Sequence, residues 1–201
     1  FDKMSLEDLK PALEKAMALN LEEIDAIANN DAPPTFDNVI VEMERAGAEL
    51  GRVFTYYGIW SANKSSPEFR EIQAEMSPIL SSFFTKITQN EKLFARVKAV
   101  YESDELSSLT AEEQRIAWMT YNSFARNGAT LDSESKKRYA EINKELATLH
   151  TKFSSNVLAD EENYMTYITE DQLDGLPASF VKAAKAAASS RGEEGKYAIT
   201  N

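Results

Sequence analysis

Apolar residues recur every three or four positions through most of the first 160 residues, and this pattern commits the chain to a stack of amphipathic helices. In "SLEDLKPALEKAMALNLEEIDAIANN", Leu6, Leu9, Leu13, Met17, Leu21, Ile24 and Ile27 share one helix face. Pro11 suits the first turn of the main helix after a short lead-in, and "NNDAPP" stops it. Thr35 opens the second stripe: Phe36, Val39, Ile40, Met43, Ala46, Leu50, Val53, Phe54 and Tyr57. Read as a single helix to Ala62, it would be roughly 40 Å long. Ser66 and Pro67 cap and start the third helix, which carries Phe69, Ile72, Met76, Ile79, Leu80, Phe83 and Ile87. Pro78 lies inside it and is expected to kink or divide it. In "NEKLFARVKAVYE", Leu93, Phe94, Val97, Val100 and Tyr101 should face inward. Thr110 and Glu113 form a capping box for a helix that carries Ile116, Met119, Tyr121 and Phe124 and ends at Gly128. The next helix begins near Asp132, with Tyr139, Ile142, Leu146, Leu149, Phe153 and Val157 as its expected buried face.

After Asp160 the period changes. "YMTYIT" (164–169) is rich in β-formers, "DQLDGLP" turns the chain, and Pro177 starts an alanine-rich helix that runs to about Ser190. "RGEEG" breaks that helix, and "KYAITN" (196–201) reads as a second strand. If the two strands are adjacent and parallel, their crossover should be right-handed. The expected fold is therefore mainly α: an antiparallel array of long amphipathic helices over 1–160, then a strand–helix–strand segment over 161–201.

Net charge and residue inventory exclude several functions. At −11, with a sequence pI near 4.7, the surface repels phosphate backbones and anionic bilayers, so neither nucleic acid nor membrane is an expected partner. There is no cysteine, which removes disulfides, thiolate metal sites and cysteine nucleophiles and leaves both cytoplasm and periplasm open. His150 is the only histidine; Thr151 and Lys152 follow it, so H-E-x-x-H is absent, and Ala147 upstream rules out Glu-x-x-His. It reads as a surface or packing residue. Glu22–Glu23, Glu112–Glu113 and Glu161–Glu162 could be acid–base pairs, but solvated helix faces and helix N-termini account for them more simply. "GAELG" (Gly47 to Gly51) has the spacing of a close helix contact. Tyr56, Tyr57 and Trp60 read as core packing, with a peptide-contacting wall as the functional alternative. Asn63-Lys64-Ser65 matches a glycosylation acceptor, a pattern common by chance. No catalytic, cofactor-binding or metal-ligating residue is assigned.

An ordered set of stretches resembles the N-terminal region of the M3 family of zinc oligopeptidases, of peptidyl-dipeptidase type. They are "FDKMSLEDLKPALEKAM", "EEIDAIANNDAPPTFDNVIVEMERAGAELGRV", "SAN", "LFARVKAVYE", "NGATLD", "INKELATLHTKFSSNVLAD" and "LDGLP", which together span nearly the whole chain. "SANKSSPE" departs from the Thr-Asn pair common in relatives. The resemblance implies a zinc site, H-E-x-x-H plus a glutamate, in a C-terminal region absent here, and none of its ligands maps onto these residues. It implies that these helices form one wall of a deep channel that admits short peptides, and that the whole enzyme releases dipeptides from the C-terminal end. The expected partners are thus the C-terminal catalytic region of the same polypeptide and an oligopeptide substrate. Phe1 and Asn201 are then expected to be cuts within a longer chain. The rival expectation is a stand-alone helical module that binds peptide or protein without catalysis.

Overall fold

A computed structural model describes residues 3–200. Its chain divides into two compact units, 1–151 and 152–201. The expected strand end at Asn201 and the start at Phe1 lie outside the described residues.

In the first unit, a short 3-10 lead-in, Leu6–Asp8, precedes α1 (Leu9–Ala28), with Pro11 in its first turn as expected. A π-helical segment (Phe36–Val41) follows, then α2 (Glu42–Arg45), α3 (Ala48–Asn63), α4 (Pro67–Thr88), α5 (Glu91–Tyr101) and α6 (Ala111–Phe124). A second π-helical turn, Ala125–Ala129, leads to α7 (Ser133–Asn163). The caps at Ser66 and Thr110 lie where the sequence puts them. The Ser66 hydroxyl accepts from the Phe69 N–H at 3.2 Å, and Asn90 Oδ1 accepts from the Leu93 N–H at 3.0 Å. Thr110 and Glu113 close a capping box, with Glu113 Oε2 accepting from the Thr110 N–H at 2.8 Å.

Two apolar clusters build the core, and α1 serves both. Its N-terminal half, with Leu9, Leu13, Ala16 and Met17, packs with Leu50 and Trp60 of α3 and Phe69, Met76 and Phe83 of α4. Its C-terminal half, with Ile24, Ile27 and Ala28, packs with Phe36, Val39 and Ile40, with Leu93, Val97 and Val100 of α5, and with Ala117 and Phe124 of α6.

Four expectations are corrected. First, the second stripe is not one helix. Ala46 is extended and Gly47 adopts φ +79, which ends α2 and starts α3 at a new angle. The apolar period runs through this break because both pieces turn the same kind of face to the core. Second, of the two outcomes expected at Pro78, kink or division, division does not occur: α4 is helical from Pro67 to Thr88. Only one backbone donor is lost there, and the Ser82 hydroxyl donates to the Pro78 carbonyl at 2.8 Å. Third, on α6 it is Ala117 that faces the core; Met119 is exposed. Fourth, the anticipated inward face of α7 points to solvent. Ile142, Leu146, Leu149, Phe153 and Val157 are all exposed, and Tyr139 is half-buried. Up to Thr151, α7 instead meets α4 through Ala147 and Thr151. The Ser77 hydroxyl donates to the Ala147 carbonyl at 2.9 Å and accepts from the Thr151 hydroxyl at 2.8 Å. A small side chain lets the helices approach closely enough for these bonds; a leucine there would hold them apart.

The second unit contains β1 (Met165–Ile168), α8 (Ala178–Ser189) and β2 (Tyr197–Thr200). The strands are neighbours but antiparallel, pairing Met165 with Thr200 and Ile168 with Tyr197, so no parallel crossover exists. Ala184 and Ala188 of α8 are buried, as are Tyr197 and Ala198 of β2.

Candidate functional site

A connected polar network joins the residues flanking the α1–π junction. The sequence "NNDAPPTFDN" has no regular structure until Thr35, so its backbone groups need outside partners. Arg96 supplies them. The residue is 8% exposed, and Nη1 donates to the Asn30 carbonyl at 2.6 Å and the Ala32 carbonyl at 2.9 Å. Nη2 donates to Asn38 Oδ1 at 3.0 Å; Nε is buried without a partner. Asn38 turns back on the same loop. Its amide donates to the Pro33 carbonyl at 2.9 Å, and its Oδ1 also accepts from the Thr35 N–H at 3.0 Å. Lys92 donates to Asn29 Oδ1 at 2.5 Å, and the Phe36 N–H donates to Glu105 at 3.4 Å.

Arg96 is not among the residues that the apolar pattern picks out, although the sequence carries a signal for it. Leu93, Arg96, Val97 and Val100 lie on one helix face, so an arginine sits inside an inward stripe and must find acceptors there.

Beside this junction lies an open concavity of about 570 Å3, lined by Glu23, Ile27, Asp37, Asn38, Glu42 and Arg45 among others. Two of its three carboxylates are engaged in the fold. Glu23 accepts from the Gly47 N–H at 2.7 Å and from the Asn20 amide at 3.3 Å, and Glu42 pairs with Arg45 at 2.8 Å. So Glu23, one of the candidate acid–base pairs, fixes the break between α2 and α3. Glu113 is a capping residue, and its hydrogen bonds from the Thr110 hydroxyl and N–H hold its carboxyl below the ordinary range. Glu112, Glu161 and Glu162 are exposed.

The remaining candidates are dispersed. His150 is exposed on α7, at the edge of a groove of about 420 Å3 that also includes Phe84, Tyr139, Asn143 and Leu146. Trp60 is buried in the core, Tyr57 packs on Phe69 with ring centroids 5.4 Å apart, and Tyr56 is half-buried, which makes the aromatic group core rather than wall. Burial pushes the Tyr57 hydroxyl above its usual pKa. In "GAELG", Gly47 does make the close contact: a Cβ there would meet the Asn20 amide at 3.1 Å. Gly51 has open space around it. Asn63 closes α3 and is exposed. Among the described residues, no three His, Asp or Glu side chains gather as a metal site, and no helix is long and apolar enough to cross a membrane.

The fold and the polar network define a mainly helical domain with an arginine-clamped inter-helix loop and scattered acids. The family described as Neurolysin/Thimet oligopeptidase, N-terminal domain, matches residues 11–136, and the chain belongs to this family. It is 29% identical to oligopeptidase A of Salmonella typhimurium over 201 residues, covering 100% of the chain and 29% of that protein. Dipeptidyl carboxypeptidase of Escherichia coli is 30% identical over 200 residues, covering 99% of the chain and 29% of that protein. An organellar oligopeptidase A of Arabidopsis thaliana is 28% identical over 198 residues, covering 96% of the chain and 24% of that protein. The chain thus spans less than a third of the length of these curated relatives.

Proposed function

We propose that this chain is the N-terminal, non-catalytic helical part of an M3-family zinc peptidase, and that its helices form one wall of the channel by which short peptides reach the metal. The observation that carries the reading is the match along the whole chain to peptidases more than three times as long. The donor inventory supports it. A hydrolytic zinc commonly takes three protein ligands, and the residues here do not fit one: His150 is alone and exposed, no cysteine exists, and H-E-x-x-H is missing. No step of hydrolysis is therefore assigned to this chain's side chains. The catalytic residues belong to a further region of the same polypeptide, of which residues 161–201 form the opening segment.

The reaction assigned to the whole enzyme is release of dipeptides from the C-terminal end of oligopeptides. Relatives named oligopeptidase A and dipeptidyl carboxypeptidase match about equally well, so product analysis decides between internal cleavage and dipeptide release. The test uses the 201-residue chain and the complete product of its gene, each with zinc and a set of short peptides. Hydrolysis by the complete protein alone is the expected result. Zinc-dependent turnover by the short chain, or none by either, would overturn the proposal.

A further inference from the structure

Residues 152–201 bury little of what they contain. Their buried side chains, among those described, are Ala184, Ala188, Tyr197 and Ala198, and three of these are alanines. Over the same span Phe153 is 68% exposed, Tyr164 56% and Phe180 42%, with Val157 and Leu176 also in solvent. A unit of about fifty residues is marginal even with a complete core. Two details show where the missing core belongs. Phe180, Ala184 and Ala188 lie four residues apart on one face of α8; the two alanines are buried, and Phe180 carries that face onward into solvent. The sheet has two strands, so each offers one unpaired edge, and such pairs are weak until a third strand or an apolar cover completes them.

We infer that the apolar face of this second unit, centred on Phe180 and Leu176, docks against a segment of the same polypeptide outside these 201 residues. The unit completes its core only there. This rests on the proposed reading of the chain as part of a longer peptidase. The occupant is chosen on two grounds. The match runs through the second unit, yet more than two thirds of each relative lies outside the matched segment, so ample covering chain exists. A second copy is a poor cover, because each chain carries a net charge of −11 and repels its like.

The test is amide hydrogen exchange on the 201-residue chain and on the complete gene product, with peptide hydrolysis by the latter measured in parallel. In the complete protein, α8 amides should exchange at least about tenfold more slowly than in the short chain. Replacing Phe180→Ser and Leu176→Ser together should leave the short chain within about threefold of its own rates, and should return the complete protein to those rates. Equal α8 protection in both wild-type proteins would overturn the inference. So would a short-chain dimer, seen by light scattering, that the substitutions convert to monomer. If the complete protein hydrolyses peptides while α8 stays unprotected, docking fails and the peptidase reading stands; protection without hydrolysis gives the reverse.

Discussion

Arg96 ties the irregular loop after α1 to α5. Its three hydrogen bonds, at 2.6, 2.9 and 3.0 Å, satisfy an irregular loop that has no ladder to join. Arg96→Ala takes the guanidinium donor from the Asn30 and Ala32 carbonyls and opens a void, so urea unfolding should show a loss of about 3 kcal/mol. Arg96→Lys keeps the charge but not the fork, and should lie between the two; a lysine variant as stable as the parent would show that charge alone matters there. The two glycines of "GAELG" should move in opposite directions. Gly47→Ala puts a Cβ at φ +79 and against Asn20, a loss of about 1–2 kcal/mol. Gly51→Ala, in open helix, should gain about 0.5–1 kcal/mol. Equal effects at both positions would refute the assignment of the close contact to Gly47. The motif was legible as packing, but which glycine packs was not, because spacing does not record the sign of φ.

At the scale of elements, helix starts were the most readable feature, because a cap is a local bargain between residues three apart. Thr110–Glu113, Ser66 and the start near Asp132 are legible without knowing the neighbours. Hydrogen bonds from the Ser135 N–H and hydroxyl hold the Asp132 carboxyl below its ordinary pKa, and Thr110 does the same for Glu113. For a depressed carboxylate, the stabilisation is complete above the unfolded pKa and is lost as pH falls through the folded one. The acid limb of the stability curve, below about pH 4, should therefore become shallower in an Asp132→Asn, Glu113→Gln variant, which keeps acceptors but does not titrate. An unchanged limb in acid titration by circular dichroism would refute this. Helix faces were harder. Periodicity shows that α7 has an apolar stripe, but not that a neighbour covers it, and the contact with α4 is made through Ala147 and Thr151. Leu149 is 53% exposed, so Leu149→Ser should change this chain's stability by less than about 0.5 kcal/mol. Leu93→Ala, fully buried, should cost about 3 kcal/mol.

For the whole molecule, the unequal cores predict unequal unfolding. The first unit has two apolar clusters that share α1, whereas the second buries three alanines and a tyrosine. Two-state behaviour requires that all parts melt together, and a small, poorly filled unit breaks that condition. The chain also carries a natural probe. Its two tryptophans, Trp60 and Trp118, both belong to the first unit, so indole fluorescence reports that unit alone. Far-ultraviolet circular dichroism reports both, because α8 and the end of α7 add helix to the second. As urea rises, ellipticity should fall first, with fluorescence unchanged; the remaining ellipticity and the fluorescence should then change together. Coincident curves throughout would mean that the second unit draws its stability from the first, and would remove the physical ground for seeking its cover elsewhere in the polypeptide.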